Sequence, residues 1–307
     1  MRVLLLGANG QLGHALRQTL PVSADLVCAT RDGRLSDGAA CERADFDQPA
    51  SLAPLVARVA PDVVVNAAAY TAVDRAEDDR EAAFRVNAEA PGLLARACAQ
   101  RDALLVHYST DYVFDGRGSR PYREDDATAP LGVYGASKLA GEEAVRAAGG
   151  RHMILRTAWV YGLHGRNFMR TILRLAGERD ALRVVDDQTG TPTPAWLVAD
   201  ATSRLLGDPG IGAGLWHVVA GGQATWREFA DAIFDQAHAR RLIRRRPHVV
   251  PIATCDYPTP ARRPAYSCLD TTRLRTTTGI ALPSWGNALS RTLDDASGLP
   301  VRWLDDG

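Results

Sequence analysis

The sequence predicts an α/β fold, a doubly wound parallel sheet with a smaller C-terminal lobe. Three observations carry that prediction. Short apolar runs alternate with helical stretches through about residue 160, the pattern of a parallel sheet covered on both faces. A glycine-rich turn joins the first apolar run to the first helix. With 307 residues, 46% of them hydrophobic, the chain can bury a sizeable core, and two lobes suit this length better than one.

Taken in order, Met1 to Leu6 reads as a fully buried strand, Gly7 to Gly13 as the turn after it, and His14 to Leu20 as a helix. Leu26 to Thr30 is a second strand ending at Arg31-Asp32-Gly33, and Asp45-Phe46 follows a short loop strand. Pro49 to Val59 has helical periodicity, with Leu52, Leu55, Val56 and Val59 on one face. After a turn at Pro61-Asp62, Val63 to Val65 forms a β-branched strand. Asp78 to Gln100 reads as one long helix, and Ala103 to Tyr108 as the next strand, running into Ser109-Thr110-Asp111. Tyr134 to Ala148 is helical and Met153 to Thr157 a strand. Beyond this the alternation becomes irregular, and Pro192, Pro194, Gly207 to Gly214 and Pro247 to Pro264 mark loops and crossings. The expected division is a first domain over 1–165, with returning segments around 195–222, and a second lobe mostly over 166–307.

Composition narrows the function. Lys plus Arg and Asp plus Glu number 36 each, so no whole-molecule field attracts nucleic acid or an acidic membrane. The arginine-rich Arg240 to Arg246 run has no interleaved aromatics and reads as a solvated helix end. The cysteines, Cys28, Cys41, Cys98, Cys255 and Cys268, form no CxxC pair, so no metal site is expected, and their odd number suits a reducing compartment. No stretch approaches the roughly 18 apolar residues of a membrane span. No secretory signal is read at Met1 to Leu6, and the expected location is the cytoplasm.

The chemistry begins at the first turn. Gly7, Gly10 and Gly13 have the spacing GxxGxxG between a strand and a helix. Small residues let the backbone approach a pyrophosphate, and a helix N-terminus supplies free N–H groups and the positive end of its dipole. A nicotinamide dinucleotide is expected there; the alternative is an ordinary tight turn. At the end of the second strand a carboxylate binds the ribose 2′-hydroxyl of NAD, whereas an Arg accommodates the 2′-phosphate of NADP. Arg31 favours NADPH, with NADH tolerated because Asp32 adjoins it. Asp45 and Phe46 offer a carboxylate and an aromatic to the adenine, and Ala68, Ala69 and Tyr70 belong to a run small enough to close over the cofactor.

Tyr134 and Lys138 stand four residues apart and share one helix face. A free phenol, with a pKa near 10, is a poor acid–base partner at neutral pH. A neighbouring ammonium is expected to lower it towards the working range. The same Lys138 can hold the nicotinamide ribose. Ser109 and Thr110 close a predicted parallel strand, at the edge where ligands of such sheets bind, and a hydroxyl there can donate to a carbonyl oxygen. Either could instead be a cap or a strand-end hydrogen bond.

With these residues the chain resembles the extended short-chain dehydrogenase/reductases and, more narrowly, the dTDP-4-dehydrorhamnose reductase family. The resembling runs extend nearly end to end: Gly7 to Gly13, Val65 to Asp74, His107 to Phe114, Tyr134 to Glu142, Arg156 to Gly162, Asp187 to Thr193 and Tyr257 to Pro264. The resemblance implies a Rossmann-type sheet and reduction of dTDP-4-dehydro-β-L-rhamnose to dTDP-β-L-rhamnose by NAD(P)H, the last step of dTDP-L-rhamnose synthesis. It implies that Tyr134 protonates the C4 oxygen, that Lys138 tunes Tyr134 and binds ribose, and that Thr110 bonds the same oxygen. Asp111 and Trp159 would contact the sugar, and Gly10, Gln11 and Leu12 the pyrophosphate. Arg262 and Arg263 suit the diphosphate of a nucleotide sugar, or else form an interlobe salt bridge. Trp159 has a plain alternative as a core aromatic. Some family members form a magnesium-linked dimer through acidic residues near the first helix. Here Gly13-His14-Ala15-Leu16 carries no carboxylate, so that dimer is not implied, and a monomer or a homodimer is expected. Two other readings stand beside the reductase. One is a sister nucleotide-sugar reductase or epimerase; the other is a dinucleotide-binding regulatory subunit without turnover.

Overall fold

The structure, a computed structural model, describes residues 1–20, 24–208 and 213–299. Residues 209–212, inside the loop expected over Gly207 to Gly214, lie outside the described residues.

The first strand, β1 (Arg2–Leu6), leads through the glycine turn into α1 (Gln11–Thr19). Then come β2 (Asp25–Thr30), β3 (Glu42–Arg43), α2 (Leu52–Val59) and β4 (Val63–Asn66). A single turn, α3 (Val73–Ala76), precedes α4 (Arg80–Phe84), a π-helical segment Arg85–Glu89 and α5 (Ala90–Ala99). Next are β5 (Leu104–Thr110), α6 (Val133–Ala147) and β6 (His152–Thr157). Downstream lie β7 (Val160–Tyr161), α7 (Phe168–Ala176), β8 (Ala181–Val185), β9 (Thr189–Gly190), β10 (Thr193–Pro194), α8 (Ala195–Gly207) and β11 (Gly214–His217). The described elements end with β12 (Ala224–Thr225), α9 (Trp226–Ala239), β13 (His248–Ile252), α10 (Thr272–Thr278) and α11 (Trp285–Ser297).

Seven strands form one parallel sheet in the order β11-β6-β5-β4-β1-β2-β3. Side chains alternate between its faces. Val3, Leu5, Val63, Val65, Val106 and Leu155 pack with α1 and α8 on one side. Leu4, Leu6, Val64, Leu105 and Ile154 pack with α2 and α5 on the other. A strand buried on both faces has to be a continuous apolar run, as Val3 to Leu6 is. A separate cluster around Met169, Ile172, Phe229, Phe234, Leu289 and Leu293 joins α7, α9 and α11 beside the paired β8 and β13.

The structure corrects three boundaries. Helix α1 begins at Gln11, with Gly10 extended as its N-cap, rather than at His14. Gly13 therefore lies inside the first helical turn, where a Cβ would stand 2.1 Å from the Gly7 carbonyl oxygen. Its missing side chain lets the first helical turn pack closely against Gly7 and Ala8 of the preceding loop. The expected long helix over 78–100 is instead α4, the π segment and α5. Strand β5 continues through Ser109 and Thr110, whose backbones pair with Arg156 and Thr157.

The order of strands reverses between β4 and β2 around β1, so the loops after β1 and β4 diverge at a switch point, where open parallel sheets bind ligands.

Candidate active site

The loop after β1 meets the loop after β4 at close range. Gly7 has a positive φ of 76°, and a Cβ there would stand 2.7 Å from the Ala68 amide nitrogen. At the end of α1 no side chain caps the helix and its first turn contains no acidic residue. The first-turn N–H groups of Gln11, Leu12 and Gly13 thus point out of a helix end without a competing anion. A glycine-rich backbone turn leading into an uncapped helix end is a cradle that fits a dinucleotide pyrophosphate. The Gln11 side chain does not face that cradle. Its amide donates to the Val160 carbonyl at 3.1 Å and its carbonyl accepts from Asn167 at 2.7 Å, which ties the cradle to the chain beyond β6.

Arg31 is exposed at the end of β2, whereas Asp32 accepts from the Thr30 hydroxyl at 2.9 Å and from the Arg34 amide at 3.3 Å. Those bonds hold the Asp32 carboxyl below its ordinary pKa. Asp45 is half-buried and accepts from the Asp47 amide at 3.1 Å. Phe46 is 4% exposed and belongs to the core with Leu4, Leu6 and Val56. The structure therefore gives Phe46 a packing role on that face of the sheet.

Ala68, Ala69 and Tyr70 are half-buried above the sheet edge. Asn66 fixes their loop by accepting from the Ala68 amide at 3.1 Å while its own amide meets His107 Nδ1 at 3.1 Å. Asn87 clamps the far end. Its carbonyl accepts from the Tyr70 amide at 2.8 Å, and its amide donates to the Tyr70 carbonyl and the Ser137 hydroxyl, both at 3.0 Å. Asn87 sits in the π-helical segment, a device common at functional sites.

Tyr134 lies in the first turn of α6, edge-on to Tyr112 with ring centroids 5.6 Å apart, on the side of Thr110. Burial pushes the Tyr134 phenol up to about 12, against the lowering effect of Thr110. This corrects the expectation that Lys138 lowers it. The Lys138 ammonium is spent elsewhere, donating to the Tyr108 carbonyl at 2.6 Å, and burial brings its own pKa down to about 8. His107, fully buried one residue earlier on β5, is held neutral by burial and by Lys138.

The paired hydroxyls separate. Ser109 turns away from Tyr134 and donates to Glu142 at 2.5 Å, while Thr110 faces Tyr134 and donates to Asp111 Oδ1 at 3.1 Å. Asp111 is 1% exposed, its Oδ2 has no hydrogen-bond partner, and burial raises its carboxyl to about 6.

Beneath the pair lies a buried charge network absent from the motif reading. Glu142, 0% exposed, accepts from Arg156 Nε and Nη2, each at 2.8 Å, and Arg156 is only 2% exposed. Both residues stood inside resembling runs, but nothing in the spacing marked a salt bridge between a helix and a strand.

Trp159 is half-buried, has a positive φ of 46°, and stacks on Trp226 with centroids 3.5 Å apart and planes 3° from parallel. Arg263 pairs with Asp74 at 2.8 and 3.1 Å, whereas Arg262 is exposed and has no ion pair among the described residues. The two arginines therefore differ: Arg263 takes the salt-bridge alternative, and Arg262 does not. Among the described residues no cluster of His, Cys, Asp and Glu could hold a metal, and no helix is long and apolar enough to cross a membrane.

This arrangement has relatives. The RmlD substrate binding domain family matches residues 1–297. A dTDP-4-dehydrorhamnose reductase of Burkholderia thailandensis is 46% identical, over 96% of this chain and 99% of its own. One from Salmonella typhimurium is 42% identical, over 96% and 98% respectively. A solved dTDP-4-dehydrorhamnose reductase of Bacillus anthracis, in complex with NADP, is similar with a TM-score of 0.87 at 34% identity, covering 96% of this chain and 99% of that one. With a dinucleotide cradle, a hydroxyl pair and matches spanning nearly the whole sequence, the chain belongs to the dTDP-4-dehydrorhamnose reductase family.

Proposed function

We propose that this protein reduces the 4-keto group of dTDP-4-dehydro-β-L-rhamnose to give dTDP-β-L-rhamnose, with Tyr134 as proton donor. The observation that carries the reading is that Thr110, at the carboxyl end of β5, stands beside Tyr134 in the first turn of α6, with Lys138 of the same helix bonded to the Tyr108 carbonyl of β5 at 2.6 Å. A phenol held near pKa 12 keeps its proton at neutral pH until a stronger base forms beside it. The alkoxide developing on C4 is such a base. Thr110 is placed to donate to the same oxygen, which stabilises charge that exists only near the transition state.

A nicotinamide dinucleotide supplies the hydride when bound. Gly7, Gly10, Gln11, Leu12 and Gly13 would hold its pyrophosphate through their backbone, and Ala68, Ala69 and Tyr70 would cover it. Arg31, exposed while Asp32 is engaged by Thr30, favours NADPH, with NADH also accepted. Lys138, Tyr134 and the ribose would share one corner, with Asp45 near the adenosine. Asp111, with an unpartnered buried oxygen, and Trp159 would touch the sugar, and Arg262 the diphosphate. In this reading residues 1–165, with 195–222, carry the cofactor, and most of 166–307 carries the sugar nucleotide.

Purified protein given NADPH and the 4-keto sugar nucleotide should consume NADPH stoichiometrically. Tyr134→Phe should abolish turnover while both ligands still bind. Absence of turnover in the parent defeats the proposal, and product formation without net cofactor consumption indicates an epimerase.

A further inference from the structure

Among the described residues, the large hydrophobic side chains that stand exposed are Met1, Tyr257 and Leu299, and Tyr257 is the most open at 60%. A phenol ring kept in water this way invites a partner.

Its loop is anchored at both ends. Before it, Thr254 donates from its amide and its hydroxyl to Asp187, at 2.9 and 2.6 Å, and accepts from Gln188 at 3.0 Å. Gln188 in turn accepts from the indole of Trp226, on which Trp159 is stacked. After the loop, the Ala261 amide and the Arg263 guanidinium are both held by Asp74. Asp74 lies on α3, whose Ala76 packs in one apolar cluster with Val133 and Tyr134 of α6. The segment thus runs from the Trp159 side of the site to the Tyr134 side, with Tyr257 and the unpaired Arg262 on it.

Resting on the reading above, we propose that Tyr257 is a substrate-binding residue that stacks on the pyrimidine base of the sugar nucleotide, next to a diphosphate held by Arg262. The sugar end already has Thr110, Tyr134 and Trp159, and a flat base at the other end of a diphosphate needs a flat apolar surface. Base–aromatic stacking is sequence-tolerant and strong enough for a measurable anchor.

The test is calorimetric titration of dTDP into the parent, Tyr257→Ala and Tyr257→Phe, with inorganic diphosphate and NADPH as further probes. Tyr257→Ala should weaken dTDP about tenfold, Tyr257→Phe should restore it, and both other probes should bind all three proteins alike. In turnover, Tyr257→Ala should raise the sugar-nucleotide KM with little change in kcat. Equal dTDP affinity in parent and Tyr257→Ala overturns the stacking role alone. An equal loss of diphosphate binding in Tyr257→Ala also overturns it, because the ring would then be acting through Arg262. A parent that binds no dTDP overturns the sugar-nucleotide reading itself.

Discussion

Replacing Glu142 with Gln isolates the charge network under the reacting pair. Glutamine keeps the shape of the side chain and removes its charge. In the parent, Glu142 accepts two bonds from Arg156 at 2.8 Å, one from Ser109 at 2.5 Å and a longer one from Arg146 at 3.3 Å. Arg156 is 2% exposed, so the variant leaves a guanidinium buried without its counter-ion. Breaking a buried pair from one side costs about 3–5 kcal/mol, against a total stability on the order of 5–15 kcal/mol. In urea, with a slope of about 3 kcal/mol/M, the midpoint should fall by roughly 1 M or more. Removing both charges together, as Glu142→Leu with Arg156→Met, should cost far less, because well-packed apolar replacements of buried pairs are often neutral.

The pH dependence supplies an independent check. Burial alone would raise the Glu142 carboxyl, but Arg156, Ser109 and Arg146 outweigh it and hold it below the usual range. A depressed carboxylate contributes stability that is present above its unfolded pKa and is lost as pH falls through the folded value. The gap between parent and Glu142→Gln should therefore be widest near neutrality and narrow in acid, below the ordinary carboxylate pKa. A Glu142→Gln midpoint indistinguishable from the parent at neutral pH, followed by tryptophan fluorescence, would refute the reasoning.

Other perturbations separate the roles within the site. Thr110→Val should lower kcat by about 10²-fold while leaving NADPH affinity intact, since its hydroxyl would act on charge developing at the substrate oxygen; steady-state and binding measurements together check this. Because burial brings Lys138 down to about 8, its charge is present below that pH and is lost above it, so kcat should fall on an alkaline limb. A flat profile to pH 10 would mean that the ammonium is not required. Gly13→Ala places a Cβ 2.1 Å from the Gly7 oxygen, and should cost about 1–3 kcal/mol by thermal or urea unfolding and weaken NADPH binding.

Much of the cofactor half was legible because its logic is local. Val3 to Leu6 must be buried on both faces, and the glycines that follow sit where backbone meets backbone. Hydrophobic alternation identified β4, β5 and β6 within a residue or two. Long-range contacts were not legible. Nothing near position 87 announces that an asparagine will bond a loop at Tyr70 and a serine at 137. By residue type alone Ser109 and Thr110 looked equivalent; the resemblance singled out Thr110, and Glu142 arriving from α6 supplies the physical difference by engaging Ser109. Phe46 next to Asp45 suggested an adenine contact, because sequence shows adjacency and not which of two neighbours faces the core.

Trp159 carries a backbone strain that the sequence does not reveal. A residue of that bulk in the left-handed region costs on the order of 1–3 kcal/mol, and such strain persists only where surrounding contacts fix it. The contacts here are the stack on Trp226 and the close approach of Gly190, where a Cβ would lie 2.3 Å from the indole. The strained residue falls between the end of β6 and the start of β7, where the chain leaves the central sheet. The ring also packs against the apolar cluster of Val113, Phe114, Tyr122 and Ala158, so the same side chain serves the core and the stack on Trp226. The same turn places Val160 where Gln11 from the cofactor cradle donates to its carbonyl, so one irregular stretch of backbone links the cradle to the aromatic pair.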